Sequence, residues 1–410
     1  MFKHIKLTLA LLPFTGLAQT DSLTLDQAVQ FALSNNMKIK AASQHVLYQQ
    51  HLKKASSELP KTEVDLMYGQ YNSILNDNNV TITQSIPFPT VFSSRNAYNN
   101  ALVKTSKAHQ RSTEIELIYQ VKTLCFQVYY LYGKKRILLQ QDSLFGVLNN
   151  SVSRRYQVGD ETKLELTKTT AQLKEIKNAL HQVNADIEIA ESNIQALLNS
   201  TSTVHIKDSR QQILTLPILD SANADANPNV QVMKFQFEVA DKLKRMERAK
   251  ALPDFKIGYF TQTLIGVQTI NGQDQYFGKD KRFNGFQVGV GIPLWFLPHA
   301  SQVKAQDYAR RQAESELQQS KINWWAQMQK AHQQALKEKI SLEYYQTEAL
   351  PMARLIQDQS IKSYRQGEIG LTELLLNINQ SLTIRESYLR SLRDYNQSII
   401  NIEFLIGQKS

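Results

Sequence analysis

The chain has a single cysteine, Cys125, in 410 residues, so no disulfide can form within it. Glycine and proline are also scarce, at 15 and 10 residues, about half the usual ~7% and ~5%. A backbone so rarely punctuated does not belong to a loop-rich all-β protein. Beyond residue 18 no apolar run approaches the ~20 residues of a membrane-spanning helix. With 42% hydrophobic and 20% charged residues and a mean hydropathy of −0.38, a polytopic helical membrane protein is excluded. The eight histidines, at positions 4, 45, 51, 109, 181, 205, 299 and 332, are scattered. They form no His-x-x-x-His pair and have no cysteine partner, so no metal site is indicated. Neither a Walker-type glycine loop nor a nucleophile elbow is present. No catalytic residue, metal ligand or cofactor is therefore assigned, and the chain is not expected to be an enzyme.

The charge balance, 47 basic against 37 acidic side chains for a formal +10, could suit an anionic partner. The basic residues are spread along helical faces and often neighbour acids, as in Lys279-Asp280-Lys281-Arg282. That is the pattern of a solvated surface, and nucleic acid is not an expected partner.

The N-terminus does carry a signal. Lys3 and Lys6 precede the apolar run Leu7-Thr-Leu-Ala-Leu-Leu-Pro-Phe, which ends in the small-residue stretch Thr15-Gly-Leu-Ala18. This is the organisation of a secretory signal peptide over residues 1–18, cleaved after Ala18. With no cysteine at the new N-terminus, lipidation is not expected.

An internal repeat dominates the rest. Leu59-Pro60 with its following residues matches Leu252-Pro253 at an offset of 193, Ile86-Pro87-Phe88 matches Ile292-Pro293-Leu294 at 206, and Tyr156-Gln-Val-Gly159-Asp160 matches Tyr364-Arg-Gln-Gly367-Glu368 at 208. Leu197-Leu198 and Leu405-Ile406 agree, again at 208. The offset grows between the first two landmarks, so a longer loop is expected there in the second copy. The first repeat is placed at 19–208 and the second at 229–410, with a linker over 209–228. Each reads as helix, strand, loop, strand, very long helix, tight turn, helix.

In the first copy the opening helix is expected over about 24–58, with Thr24 as N-cap. Its counterpart is expected over about 229–251. The long helices over about 91–155 and between Pro298 and Gly367 would each reach ~100 Å at 1.5 Å per residue. Leu117, Leu124, Leu131, Leu138, Phe145 and Val152 recur every seven residues. On the returning helix Leu166, Leu173, Leu180, Ile187 and Ile194 do the same, with Thr169, Ile176, Val183, Ala190 and Leu197 three positions later. That is an antiparallel coiled-coil seam. In the second copy the seam Leu375, Ile378, Leu382, Leu389, Leu392, Ile399 and Ile406 is interrupted by Arg385, Asn396 and Glu403. It faces Met328, Ala335, Leu342, Ala349 and Ile356. Pro351 falls inside a long helix and predicts a kink.

Four segments have period two instead. Val64, Leu66 and Tyr68 alternate with polar or small residues, as do Val80, Ile82 and Ile86, then Phe255, Ile257 and Tyr259, then Phe286, Val288, Val290 and Ile292. Strands are expected at about 62–72, 79–87, 254–265 and 283–293, each of a length suited to crossing an outer membrane at a tilt. Four strands cannot close a barrel, since single-chain bacterial barrels begin at eight. Lipid forbids open edges, so a membrane barrel would be shared between two, three or four chains. The periodicity does not choose among them.

The signal peptide, two copies of helix, β-hairpin and long helical hairpin, Ile-Pro at each strand exit and Tyr-x-x-Gly at each hairpin turn together resemble the outer membrane efflux proteins of the TolC family. The resemblance covers about residues 22–407. It implies a mainly α protein with a membrane β-barrel portion, a homotrimer with a twelve-stranded barrel in outer membrane lipid continued by a periplasmic α-helical barrel. It further implies a passive duct working with a periplasmic adaptor and an inner-membrane pump of the resistance, nodulation and division class. Small-molecule or heavy-metal efflux is the preferred use, with type I protein secretion or a non-pore periplasmic coiled-coil adaptor as alternatives. On the same resemblance the hairpin tips, about 156–164 and 364–372, gate the entrance and dock the adaptor through Tyr156, Gly159, Tyr364 and Gly367. Glu165 and Glu373 are the matching candidates for pore-constriction acids. The next acidic position of the family is Lys168 in one copy and Leu376 in the other, a departure from a strongly cation-selective aperture. Pro60, Pro87, Pro253 and Pro293 mark the strand–helix junctions.

Overall fold

A computed structural model describes residues 22–208, 212–217 and 223–408. The signal-peptide assignment over 1–18 and parts of the 209–228 linker lie outside the described residues. The first half of the chain comprises β1 (Ser22–Leu23), α1 (Leu25–Asn35), α2 (Met37–Lys54), β2 (Glu63–Gly69), β3 (Asp77–Ile86), α3 (Pro89–Gln157), α4 (Lys163–Leu198) and β4 (His205–Ile206). The second half comprises α5 (Pro228–Lys250), β5 (Asp254–Gln262), β6 (Gly266–Ile270), β7 (Gln273–Phe277), β8 (Phe283–Gly291), α6 (Phe296–Tyr344), α7 (Leu350–Gln366) and α8 (Leu371–Ile406). The chain divides into two compact units that cut across the sequence repeats. One contains the stretch up to Met37, Glu116–Pro217 and Ala331–Glu403, and the other Lys38–Ile115, Ile218–Lys330 and the C-terminal segment from Phe404.

The first unit is helical. Thr24 caps α1 through a capping box in which its hydroxyl accepts from Gln27 N and the Gln27 side chain accepts from Thr24 N, satisfying two helix-end donors. The single helix expected over 24–58 is instead broken at Asn36, whose backbone is extended (φ −61, ψ 130). The Asn36 amide donates to Leu197 O at 2.8 Å, so a side chain that competes with helix locally is recruited to the carbonyl end of α4. Beside it β1 and β4 form a two-residue parallel pair, Ser22 with His205 and Leu23 with Ile206.

On α3 the heptad residues Leu117, Leu131, Leu138, Phe145 and Val152 are buried, while Leu124 is half-buried. On α4 the row Thr169, Ile176, Val183 and Ala190 is buried, whereas Leu166, Leu173 and Leu180 remain half-buried. Asn149 Oδ1 accepts from the hydroxyls of Thr169 and Thr170 at 2.9 Å each, stitching α3 to α4 near the tip.

Each polar interruption of the α8 seam has a partner. Glu403 pairs with Lys122 at 2.8 Å, with both side chains mostly covered. Asn396, 2% exposed, donates to Gln212 O and accepts from Leu214 N, both at 2.8 Å. Arg385 donates to Gln140 and Gln357. Burial, reinforced by the neighbouring Arg354 charge, lowers the Arg385 pKa. Pro351 is the second residue of α7 and follows a π-helical turn over Tyr345–Ala349. Proline lacks the N–H of an α-helical bond and crowds the preceding turn, and the wider turn relieves both.

The second unit holds an antiparallel sheet in the order β2-β3-β5-β8, leaving β2 and β8 at its edges. The longer loop expected in the second copy contains a hairpin of its own, β6–β7. Its turn is Asn271-Gly272, both at positive φ (54 and 79), the geometry of a two-residue hairpin loop. Asp77, wholly buried, anchors this segment: one carboxylate oxygen accepts from Ile265 N at 2.8 Å and from the Thr263 hydroxyl at 3.2 Å. On the helical side, Asn227 caps α5 by accepting from Asn229 N and Val230 N. Its amide donates to Leu405 O, which also accepts from Trp324 Nε1, both at 2.9 Å.

Candidate functional site

Two regions, one in each unit, stand out. In the helical unit both hairpin tips are built the same way. Gly159 (φ +86) and Gly367 (φ +78) take left-handed backbone, which lets the chain leave α3 and α7 with the last carbonyls satisfied. Asp160 N bonds Arg155 O at 2.8 Å, and Glu368 N bonds Ser363 O at 2.9 Å. No atom lies within 4 Å of a Cβ built at either glycine, so backbone conformation and not crowding selects the residue. Thr162 then starts α4 by accepting from Glu165 N at 3.2 Å.

The structure brings these tips together through residues that the sequence pattern does not single out. Arg155, one residue before Tyr156, pairs with Glu161 at 2.9 Å. The same guanidinium reaches Tyr364 Oη at 3.5 Å, joining the tip of α3–α4 to the end of α7. Glu161 holds its proton above the ordinary carboxylate value because it shares a hydrogen bond with Glu165 and is desolvated, against the pull of Arg155. Burial, with the Glu161 charge adding to it, raises the Tyr364 phenol. A second link follows one turn on, where Lys168 Nζ donates to the Thr372 hydroxyl at 3.1 Å.

The candidate acids sit differently. Glu165 belongs to the half-buried Glu161 cluster, and Glu373 is exposed in the first turn of α8. Both lie where a helix N-terminus favours a negative charge. Tyr156 is exposed and Tyr364 half-buried. No spacing rule ties an Arg before Tyr-x-x-Gly to an acid after it. Only the folded tip does so.

In the other unit the strand registers assemble one continuous apolar face. Val64 stands opposite Ile82 and Leu66 opposite Val80. Ile82 is opposite Tyr259 and Ile86 opposite Phe255. Phe255, Ile257 and Tyr259 are opposite Val290, Val288 and Phe286. Because strand side chains alternate between faces, all of these project to the same side. Phe286 and Val288 are 81% and 80% exposed, and a water-soluble sheet does not leave such a face uncovered. Gln84, a polar residue within this face, is tied down by bonds to Thr62, Pro60 O and Ser85 O. The opposite side carries Asp65, Thr81, Thr83, Lys256, Gln287 and several glycines. There Phe260 lies over Gly285, whose hypothetical Cβ would be 2.5 Å from the ring.

The four prolines fall where strand and helix exchange. Pro60 precedes β2, Pro87 separates β3 from α3, Pro253 precedes β5, and Pro293 follows β8. Proline cannot extend a ladder or an incoming helix. Phe88 and Phe255 stack at 5.9 Å beside two of these junctions. Among the described residues no cluster of His, Cys, Asp or Glu could hold a metal ion, and no helix is long and apolar enough to cross a membrane.

The family model described as outer membrane efflux protein matches residues 28–200. Among solved structures, the outer-membrane channel OprN matches with a TM-score of 0.77 at 15% identity over 93% of this chain and 89% of its own. CusC, described through transmembrane channel formation, matches with 0.77 at 14% over 94% and 92%. The outer membrane protein VceC of Vibrio cholerae matches with 0.76 at 12% over 94% and 96%. At such identities the likeness establishes the fold. No curated protein sequence matches the chain.

Proposed function

We propose, from the premise that this chain carries an outer membrane efflux protein domain at residues 28–200 on the fold of outer-membrane channels, that it is the passive exit duct of a tripartite export system. The observation that carries the reading is the sheet. It has a continuous apolar face for lipid and a polar, glycine-rich reverse for a water-filled lumen. Its two edges, β2 and β8, have no further strand beside them among the described residues. Backbone groups at such edges cannot remain unpaired in hydrocarbon, so β8 of one copy pairs with β2 of the next. Three copies give a twelve-stranded barrel, the arrangement implied by the family.

The helical hairpins form the periplasmic part of the duct. Their tips, with Tyr156, Gly159, Tyr364 and Gly367, close the entrance and dock a periplasmic adaptor, and an inner-membrane pump supplies the energy. Glu373 and Glu165 line the constriction, with Lys168 offsetting part of their charge. Small-molecule or heavy-metal efflux with a pump of the resistance, nodulation and division class is the proposed use, and an exported precursor cleaved after Ala18 is the proposed route.

The test has two parts. The protein should be recovered from outer membranes as a detergent-extracted trimer, and deletion of the gene should sensitise cells in a panel of metals, dyes, detergents and antibiotics. Recovery as a soluble periplasmic protein would refute the duct. Unchanged sensitivities with loss of a secreted protein would replace efflux by protein secretion.

A further inference from the structure

The surface where the sheet meets its helices carries more than a junction needs. Leu294, Trp295, Phe296 and Leu297 follow β8 in succession and are 79%, 83%, 68% and 69% exposed. Phe296 also lines a groove of about 540 Å³, together with Ala251, Ile292, Pro293, Arg248 and His299. Pro253 and Ile292 also belong to it and keep the alternation of Phe255 and Val290, so the groove prolongs the apolar face of the sheet. No carboxylate is among its lining residues. A cation and an imidazole among the lining residues of a mostly apolar groove call for an occupant with an acidic head and a hydrocarbon tail.

We infer that this groove binds a glycerophospholipid of the periplasmic leaflet. Arg248 and His299 take the headgroup phosphate, and one acyl chain runs over Phe296 and Ile292 toward Val290. The inference rests on the duct reading above, because it needs the apolar face to lie in the membrane. Three physical points select this occupant. The groove is continuous with the face that meets lipid, and it lies at the helical end of the strands, where headgroups begin. Tryptophan at that level is typical of membrane–water interfaces. The guanidinium fork matches phosphate oxygens, and its bonds to them are charge-assisted. A second copy of the chain would need carboxylates or apolar surface to cover the same groove, and the phosphate chemistry favours lipid.

Native mass spectrometry of the full-length, detergent-purified protein with added palmitoyl-oleoyl-phosphatidylglycerol tests the inference, with dioleoylglycerol as the phosphate-free control. The wild type should retain about one phospholipid per chain and no diacylglycerol. The Arg248→Gln/His299→Gln variant should retain about tenfold less, as expected for losing one charge-assisted contact. Arg248→Lys, which keeps the charge but not the fork, should fall between them. Equal phospholipid retention by the double variant, or equal retention of diacylglycerol, would overturn the phosphate site. A wild type that retains no lipid while the double variant dissociates into single chains would show that a second copy covers the groove, and this also overturns it. Membrane fractionation of the same samples separates the two readings. Protein in the outer membrane without the phospholipid adduct sinks only the lipid site, and protein outside the membrane sinks the duct.

Discussion

On the proposed duct reading, in which the hairpin tips close the entrance, replacing Arg155 by alanine should loosen that closure. The guanidinium pairs with Glu161 at 2.9 Å and reaches Tyr364 on the other hairpin at 3.5 Å, so one side chain joins both tips. Its own side chain is 47% exposed while that of Glu161 is 9% exposed. The Glu161 pair lies within one hairpin, so the contact that crosses between hairpins is the one to Tyr364, worth about 1 kcal/mol. The three copies of the proposed trimer, acting on one opening equilibrium, then sum to about 3 kcal/mol, a shift of about 100-fold in the ratio of open to closed.

The assay is single-channel conductance in planar bilayers, reading open probability. At low salt the Arg155→Ala protein should be open far more often than wild type. In 1 M salt, where the Debye length is about 3 Å, wild type should move toward the variant. The pH response follows from Glu161, whose folded pKa lies above its ordinary value of 4.5 through the hydrogen bond shared with Glu165 and through burial. A raised carboxyl pKa means the protonated form favours the folded tip. Its contribution is full below the ordinary value and is lost as pH rises through the folded one. The folded tip should therefore gain stability on mild acidification, read as slower amide hydrogen exchange there, and Glu161→Gln should remove that dependence. Equal open probability for wild type and Arg155→Ala at low salt would refute the reasoning.

Other substitutions test the scaffold. Asn396→Leu removes the two 2.8 Å bonds to Gln212 O and Leu214 N and should cost about 0.5–1.5 kcal/mol per bond lost, since both partners reach solvent. Limited proteolysis within residues 212–217 should accelerate, and unchanged protection would show that other contacts hold this segment. Gly285→Ala places a methyl 2.5 Å from the Phe260 ring and should lower the unfolding temperature by an amount corresponding to about 1–3 kcal/mol. Adding Phe260→Ala should recover part of that loss, and a fully stable Gly285→Ala protein would show that the ring swings aside freely. Asp77→Ala removes the acceptor for Ile265 N and the Thr263 hydroxyl and should expose the β6–β7 hairpin to added protease. An unchanged cleavage pattern would show that the hairpin is held elsewhere.

The periodicities were legible because they are set by backbone geometry. Leu117 to Val152 at intervals of seven lie in a 69-residue helix, and Phe286, Val288 and Val290 in alternation lie in a strand. Asn271-Gly272 was also legible as a hairpin turn, yet the reading of a longer loop passed over it. Asn36 was not legible. Its break in the first helix depends on Leu197 O, a partner 161 residues away that no local propensity announces. The same holds for the tip, where Tyr364 is picked out by its Tyr-x-x-Gly turn but Arg155 and Glu161 are ordinary surface residues until two hairpin ends meet.

Repetition, period and the placement of glycine and proline are local properties, carried by each residue and its near neighbours, and they sufficed to order strands and helices and to suggest the family. The strand register that gathers the apolar side chains from Val64 to Val290 into one face, the hydrogen bonds that Asn396 and Asp77 make with distant backbone, and the pairing of Arg155 across two hairpins came only with the tertiary structure. Each depends on distances between segments far apart in the chain, and those distances exist only once the chain has folded.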